Sequence, residues 1–189
     1  CGYINIREFG AKCDGVTDDS EAIQNAVNNL MTLDNNGISR RVLLIPAFTV
    51  ITKPITIPFG LIKIKGYSLN ESRAICNGNG CFIIGDTELN TTNHELEIED
   101  IYFRGDSNNS YLLQVNKISN ITFRRVHVSH CGAGCYSIVM NNCGIINITE
   151  CIIEGGEDVE ALPGNRNGIS IDIDGSQLNI TKCNIWNLN

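Results

Sequence analysis

From about residue 96 the chain repeats itself loosely. Leu96-Glu97-Ile98-Glu99-Asp100-Ile101-Tyr102-Phe103 is matched by Ile118-Ser119-Asn120-Ile121-Thr122-Phe123 and by Ile145-Ile146-Asn147-Ile148-Thr149-Glu150. Gln177-Leu178-Asn179-Ile180-Thr181-Lys182 follows the same pattern. The polar residue before the central isoleucine falls at 100, 120, 147 and 179, in steps of 20, 27 and 32 residues. Alternation makes each unit a strand, and repetition with a drifting period marks a solenoid whose loops vary in length. Val126-His127-Val128 aligns with Ile152-Ile153-Glu154 and with Asn184-Ile185-Trp186, and Ser137 to Met140 corresponds to Ile169 to Ile173. A parallel β-helix satisfies the pattern, with roughly three short strands per coil, each pairing with the coils above and below. Asn120, Asn147 and Asn179 then stack as an asparagine ladder at a bend, and Glu150 faces Lys182. Cys151 stacks on Cys183, as thiols or as a disulfide across coils, thiols being slightly favoured.

Upstream, Phe9 to Val27 reads as a polar turn running into an amphipathic helix that ends near Leu33. Asp14-Gly15 is a turn dipeptide, and Thr17 to Ser20 supply caps. Glu21 stands at capping-box spacing from Asp18, and Ala22, Ile23, Ala26, Val27 and Leu30 make one apolar face. Ile4 to Phe9 alternates as a strand before the helix. Arg41 to Pro46, Phe48 to Thr52, Pro54 to Pro58 and Leu61 to Gly66 are short strands punctuated by Pro and Gly, with no helix between them.

A net charge of −7 with scattered Lys and Arg argues against nucleic acid as a partner. No apolar run approaches the length of a membrane span. Nine cysteines point to an oxidising compartment, with Cys76/Cys81 and Cys131/Cys135 as local disulfide candidates. Neither pair has metal-knuckle spacing, so no metal site is expected. Sequons at Asn70, Asn90, Asn108, Asn120, Asn147 and Asn179 are glycosylation candidates, three of them already explained by the ladder.

The stretch INIREFGAKCDGVTDDSEAIQNAV, followed by VLLIPAFTVITKPITIPFGLIKIKG, resembles the opening of the pectate-lyase-like superfamily across residues 4–66. Cys13 and Phe48 stand where that opening has Gly. The resemblance implies an all-β fold, a right-handed single-stranded parallel β-helix with an N-terminal α-helical cap. Residues 1–189 then form a single domain, with the strand and capping helix in 1–38 and the coils in 39–189. The family's active sites usually lie on coils beyond this length, so the chain reads as the N-terminal part of a longer protein. Family members include phage tailspikes, depolymerases, polygalacturonases and alginate epimerases. The resemblance implies an extracellular or virion-surface protein that binds or degrades polysaccharide, with a homotrimer expected by analogy with tailspikes. A non-catalytic structural segment of a virion or filament is the alternative. The polygalacturonase and epimerase catalytic motifs are absent, so hydrolase, lyase and inactive readings all stand.

Two places read as candidate chemistry. In Ser170-Ile171-Asp172-Ile173-Asp174 the isoleucines point inward, leaving Asp172 and Asp174 on one outer face, spaced for glycoside hydrolysis or for Ca2+. The long loop before them carries Glu157, Asp158 and Arg166 as ligand contacts. His127, in register with Glu154 and Trp186, forms a second candidate, a platform for a sugar ring. No other cofactor is implied.

Overall fold

The computed structural model describes residues 2–32, 41–58, 62–69, 71–85, 95–106, 111–129, 136–154, 167–172 and 177–185. Strand β1 (Gly2–Asn5) leads through a 3-10 turn, Ile6–Phe9, to helix α1 (Ser20–Thr32). Six rungs follow. The first holds β2 (Arg41–Leu44), β3 (Thr49–Ile51) and β4 (Ile55–Ile57). The second holds β5 (Ile62–Lys65), β6 (Arg73–Cys76) and β7 (Phe82–Ile84). The third holds β8 (Glu95–Arg104) and β9 (Leu113–Asn116), the fourth β10 (Asn120–Ser129) and β11 (Tyr136–Asn141). The fifth holds β12 (Ile145–Thr149), β13 (Ile152–Ile153) and β14 (Asn167–Asp172), and the sixth β15 (Leu178–Thr181) and β16 (Asn184–Ile185).

Every pairing is parallel and joins one rung to the next, so the molecule is a parallel β-helix. Alternation along each strand sends one set of side chains inward. Ile4, Leu43, Ile64, Ile98, Phe123 and Ile148 form one such file, each buried and in register with the next. Helix α1 closes the first rung with Ile23, Ala26, Val27 and Leu30, all fully buried. Its acids tie loops rather than complete a capping box. Asp19 accepts from the N–H of Lys12, Cys13 and Val50, and Asp18 from Ser20 and Thr52. Asp14 closes the turn by accepting from the N–H of Val16 and Thr17. The expected strand over Ile4 to Phe9 stops at Asn5, whose side chain accepts the Arg7 N–H and starts the 3-10 turn.

The long strands β8 and β10 run through two faces, bending at Asp100 and Arg125. These residues continue in file with Glu150 and Lys182, and all four have positive φ, 58°, 51°, 56° and 53°. The register therefore steps by 25 residues from Asp100 to Arg125 and by 32 at the end. This corrects the repeat alignment. Thr122, not Asn120, pairs with Asn147, and Asn120 lies between Glu95 and Ile145. The step from 120 to 147 is off by two, which keeps every side chain on its own face and escapes the hydrophobic pattern. The step from 100 to 120 is off by five, because the positive-φ bend at Asp100 resets the alternation along the strand. Asn147 and Asn179 do stack, with the Asn179 amide donating to Asn147 at 2.9 Å. A second ladder, Asn141 donating to Asn116 at 2.9 Å, sits at another bend, before Lys117 and Asn142 with φ of 51° each. His127 pairs with Ile152, one residue from the expected register, because Cys151 rather than Ile152 turns inward after the bend.

Cys76 and Cys81 form the expected disulfide, while Cys131 and Cys135 lie outside the described residues. Cys151 and Cys183 are neighbouring thiols, and Lys182 reaches Glu150 at 3.7 Å, both as expected. Cys13 and Phe48 have φ of 50° and 60°, which explains why glycine suits those positions.

Candidate functional site

The outer face of β5, β8 and β10 gathers charge. Glu95, Glu97 and Glu99 alternate along β8 and so stand on one side of the sheet. Glu99 is fully buried beneath the side chains of its neighbours. Lys63 and Lys65 approach it at 2.6 and 2.7 Å, and Arg124 donates to its other oxygen. Burial opposes ionisation of Glu99, but the bonds from Lys63, Lys65 and Arg124 outweigh it and bring the carboxyl down to about 2. Arg125 grips Asp100 with two bonds of 2.6 and 3.0 Å. These groups brace the sheet and are spent on each other.

Glu95 and Glu97 stand where the face opens. A pocket of about 130 Å³ lies here, lined by Ile62, Lys63, Glu95, Leu96, Glu97, Asn120 and Thr122. Three successive rungs contribute to it. Glu97 also touches Lys63 at 3.2 Å, and Glu95 is exposed. Sequence reasoning passed over this pair. The available signal was the alternation Glu-x-Glu-x-Glu in β8, two residues of which face a pocket while the third is locked.

Beyond the bend, the next face carries a stacked file. Arg73 sits over the Tyr102 ring at 5.2 Å, and Tyr102 stacks on His127 at 4.2 Å with the rings 10° apart. His127 Nε2 lies 3.4 Å from the Glu154 carboxylate, and Tyr102 shares a 2.8 Å hydroxyl bond with Ser129. His127 and Glu154 do meet, though not through shared register. Tyr102 covers one face of His127, so that face is closed to a stacking ring.

Of the other expected catalytic and ligand residues, only Asp172 lies within the described residues. Asp172 continues the file of Asn116 and Asn141 at the end of β14. Asp174, Glu157, Asp158, Arg166 and Trp186 lie outside the described residues, as do the sequons at Asn70, Asn90 and Asn108. Asn120 lines the pocket, while Asn147 and Asn179 are bonded to each other. Among the described residues no His, Cys, Asp and Glu cluster suits a metal ion, and no helix is long and apolar enough to cross a membrane.

Residues 3–79 match the family model described as rhamnogalacturonase A/epimerase, pectate lyase-like. No curated protein sequence matches the chain. Among solved structures, ORF18 of Geobacillus virus E2 is 21% identical with a TM-score of 0.63, over 96% of this chain and 48% of that one. PfbA, a surface adhesin of Streptococcus pneumoniae, is 12% identical with a TM-score of 0.48, over 96% and 49%. The A-module of the mannuronan C-5 epimerase AlgE4 of Azotobacter vinelandii is 12% identical with a TM-score of 0.37, over 96% and 70%. The chain thus spans about half the length of the first two. Residues 3–79 thus carry a pectate-lyase-like opening, and the rung-by-rung pairing makes the described chain a parallel β-helix like the Geobacillus virus protein.

Proposed function

We propose that this protein binds a polysaccharide across the outer face of β5, β8 and β10. The pocket lining carries the reading. Lys63, Asn120 and Thr122 bring donors, and Glu95 and Glu97 bring acceptors, all from strands already fixed by rung-to-rung pairing. A polyhydroxylated chain offers both kinds of group in turn, and side chains held on strands lose little freedom on binding. Glu95 and Glu97 further suit hydrolysis. Side chains two residues apart on one strand face stand about 7 Å apart, within the roughly 6.5–9.5 Å that admits an attacking water. The two carboxylates would then divide the acid and base roles. Asp172 and Asp174 are the competing acid pair. The Cys76–Cys81 disulfide suits work outside the cell or on a virion surface.

The test is binding and release of reducing ends on a panel of acidic and neutral glycans. Wild type is compared with Glu95→Gln, Glu97→Gln and the double variant Asp172→Asn/Asp174→Asn. Each Glu variant is expected to weaken binding about tenfold, the loss of one charged hydrogen bond of roughly 1.5 kcal/mol, while the melting temperature holds. Reducing ends, where wild type releases them, disappear with either glutamate. Loss confined to the Asp variant moves the site to the last rungs. Absence of binding to any glycan leaves the structural reading.

A further inference from the structure

The fifth and sixth rungs place two thiols on top of each other. The Asn184 N–H donates to the Cys151 carbonyl at 2.9 Å, and Ile152 pairs with Asn184, so Cys151 and Cys183 occupy equivalent positions on adjacent rungs. The Cys183 sulfur accepts from the Cys151 backbone N–H at 3.4 Å, which sets it directly against the Cys151 residue. Adjacent strands are about 4.8 Å apart, inside the roughly 4.4–6.8 Å between Cα atoms that a disulfide spans. The bond therefore needs little backbone movement. Access is unequal: Cys151 is buried and Cys183 is partly exposed.

We propose that Cys151 and Cys183 form a modification site at which a small-molecule disulfide converts two thiols into a cross-rung staple. The Cys183 thiolate attacks one sulfur of the reagent, forming a mixed disulfide and releasing one small thiol. The Cys151 thiolate then attacks the Cys183 sulfur, forming the protein disulfide and releasing the second small thiol. Two protein thiols are oxidised, one reagent disulfide is reduced, and the two protons end on the released thiols. Burial pushes the Cys151 thiol up to about 11, so the second step is slow at neutral pH and quickens as the pH rises. The staple closes a span of 32 residues and holds the sixth rung against the fifth.

The experiment treats the folded protein with cystamine at pH 7 and pH 9, followed by alkylation and peptide mapping by mass. Wild type should lose alkylation at Cys151 and Cys183 together, gain one peptide pair joined through them, and do so faster at pH 9. Cys143, buried elsewhere, should stay alkylatable only after unfolding. Cys151→Ser should stop at a cystamine adduct on Cys183. In stapled wild type the tryptic cut after the exposed Lys182 should slow severalfold, and reduction should restore it. Persistence of both thiols, or a Cys183 adduct in wild type that never resolves, overturns the proposal. If Cys151→Ser fails to fold, the wild-type peptide map decides alone.

Discussion

Glu99 shows how a charge can be both buried and stabilising on the outside of a sheet. Its side chain is sealed by long cationic neighbours whose own ends remain in water, Lys65 at 34% and Arg124 at 42% exposure. Glu99→Gln should cost about 2 kcal/mol in urea unfolding, below the roughly 3–5 kcal/mol of a wholly buried pair because those partners stay solvated. The unfolded carboxyl titrates near 4.5 and the folded one near 2. Its contribution is therefore complete above pH 4.5 and is lost as the pH falls through 2, so the variant should show a smaller acid-induced loss of stability in that window. Asp14, held at about 2 first by the Thr17 N–H, keeps part of that acid limb in the variant. The role of Glu99 was not legible beforehand, because its cations arrive from rungs 34 and 25 residues away.

At the scale of elements, α1 is what lets the β-helix begin. The first rung would otherwise offer its inward isoleucines to water, and α1 covers them with a single apolar stripe. Leu30→Ala should cost about 2–4 kcal/mol, since the neighbouring strands cannot collapse into the space, and equilibrium urea titration reads that loss. The stripe was visible in the sequence at helical spacing. The bends were less so. Asp100, Arg125, Glu150 and Lys182 share a backbone conformation that L-residues adopt reluctantly, and nothing in their side chains announces it. The file instead alternates in charge, so Arg125 lies between Asp100 and Glu150, and Glu150 between Arg125 and Lys182. Gly66 meets the same row differently: a Cβ there would strike the Asp100 carbonyl oxygen and the Ser72 side chain.

For the molecule as a whole, stability is a sum over rungs and their interfaces, and it is uneven. The third and fourth rungs are covered on both sides, while Leu178 and Ile180 on the sixth are partly open. In the isolated 189-residue chain, amide hydrogen exchange should therefore show stronger protection in 96–103 and 121–128 than in 178–185, with staple formation raising the latter. Equal protection along the axis would contradict the additive picture. The opening motif and the inward isoleucine alternation were enough to determine the fold class by themselves. Both are local, and a period of two leaves an inward stripe little choice but a sheet core. Register was a tertiary matter, since a slip of two residues costs the hydrophobic pattern nothing and positive-φ bends and loop lengths had to fix it. The candidate site followed from register. Lys63, Glu97 and Thr122 share a pocket, and Arg73, Tyr102 and His127 share a stack, because each rung returns to the same face after a loop whose length no local pattern specifies.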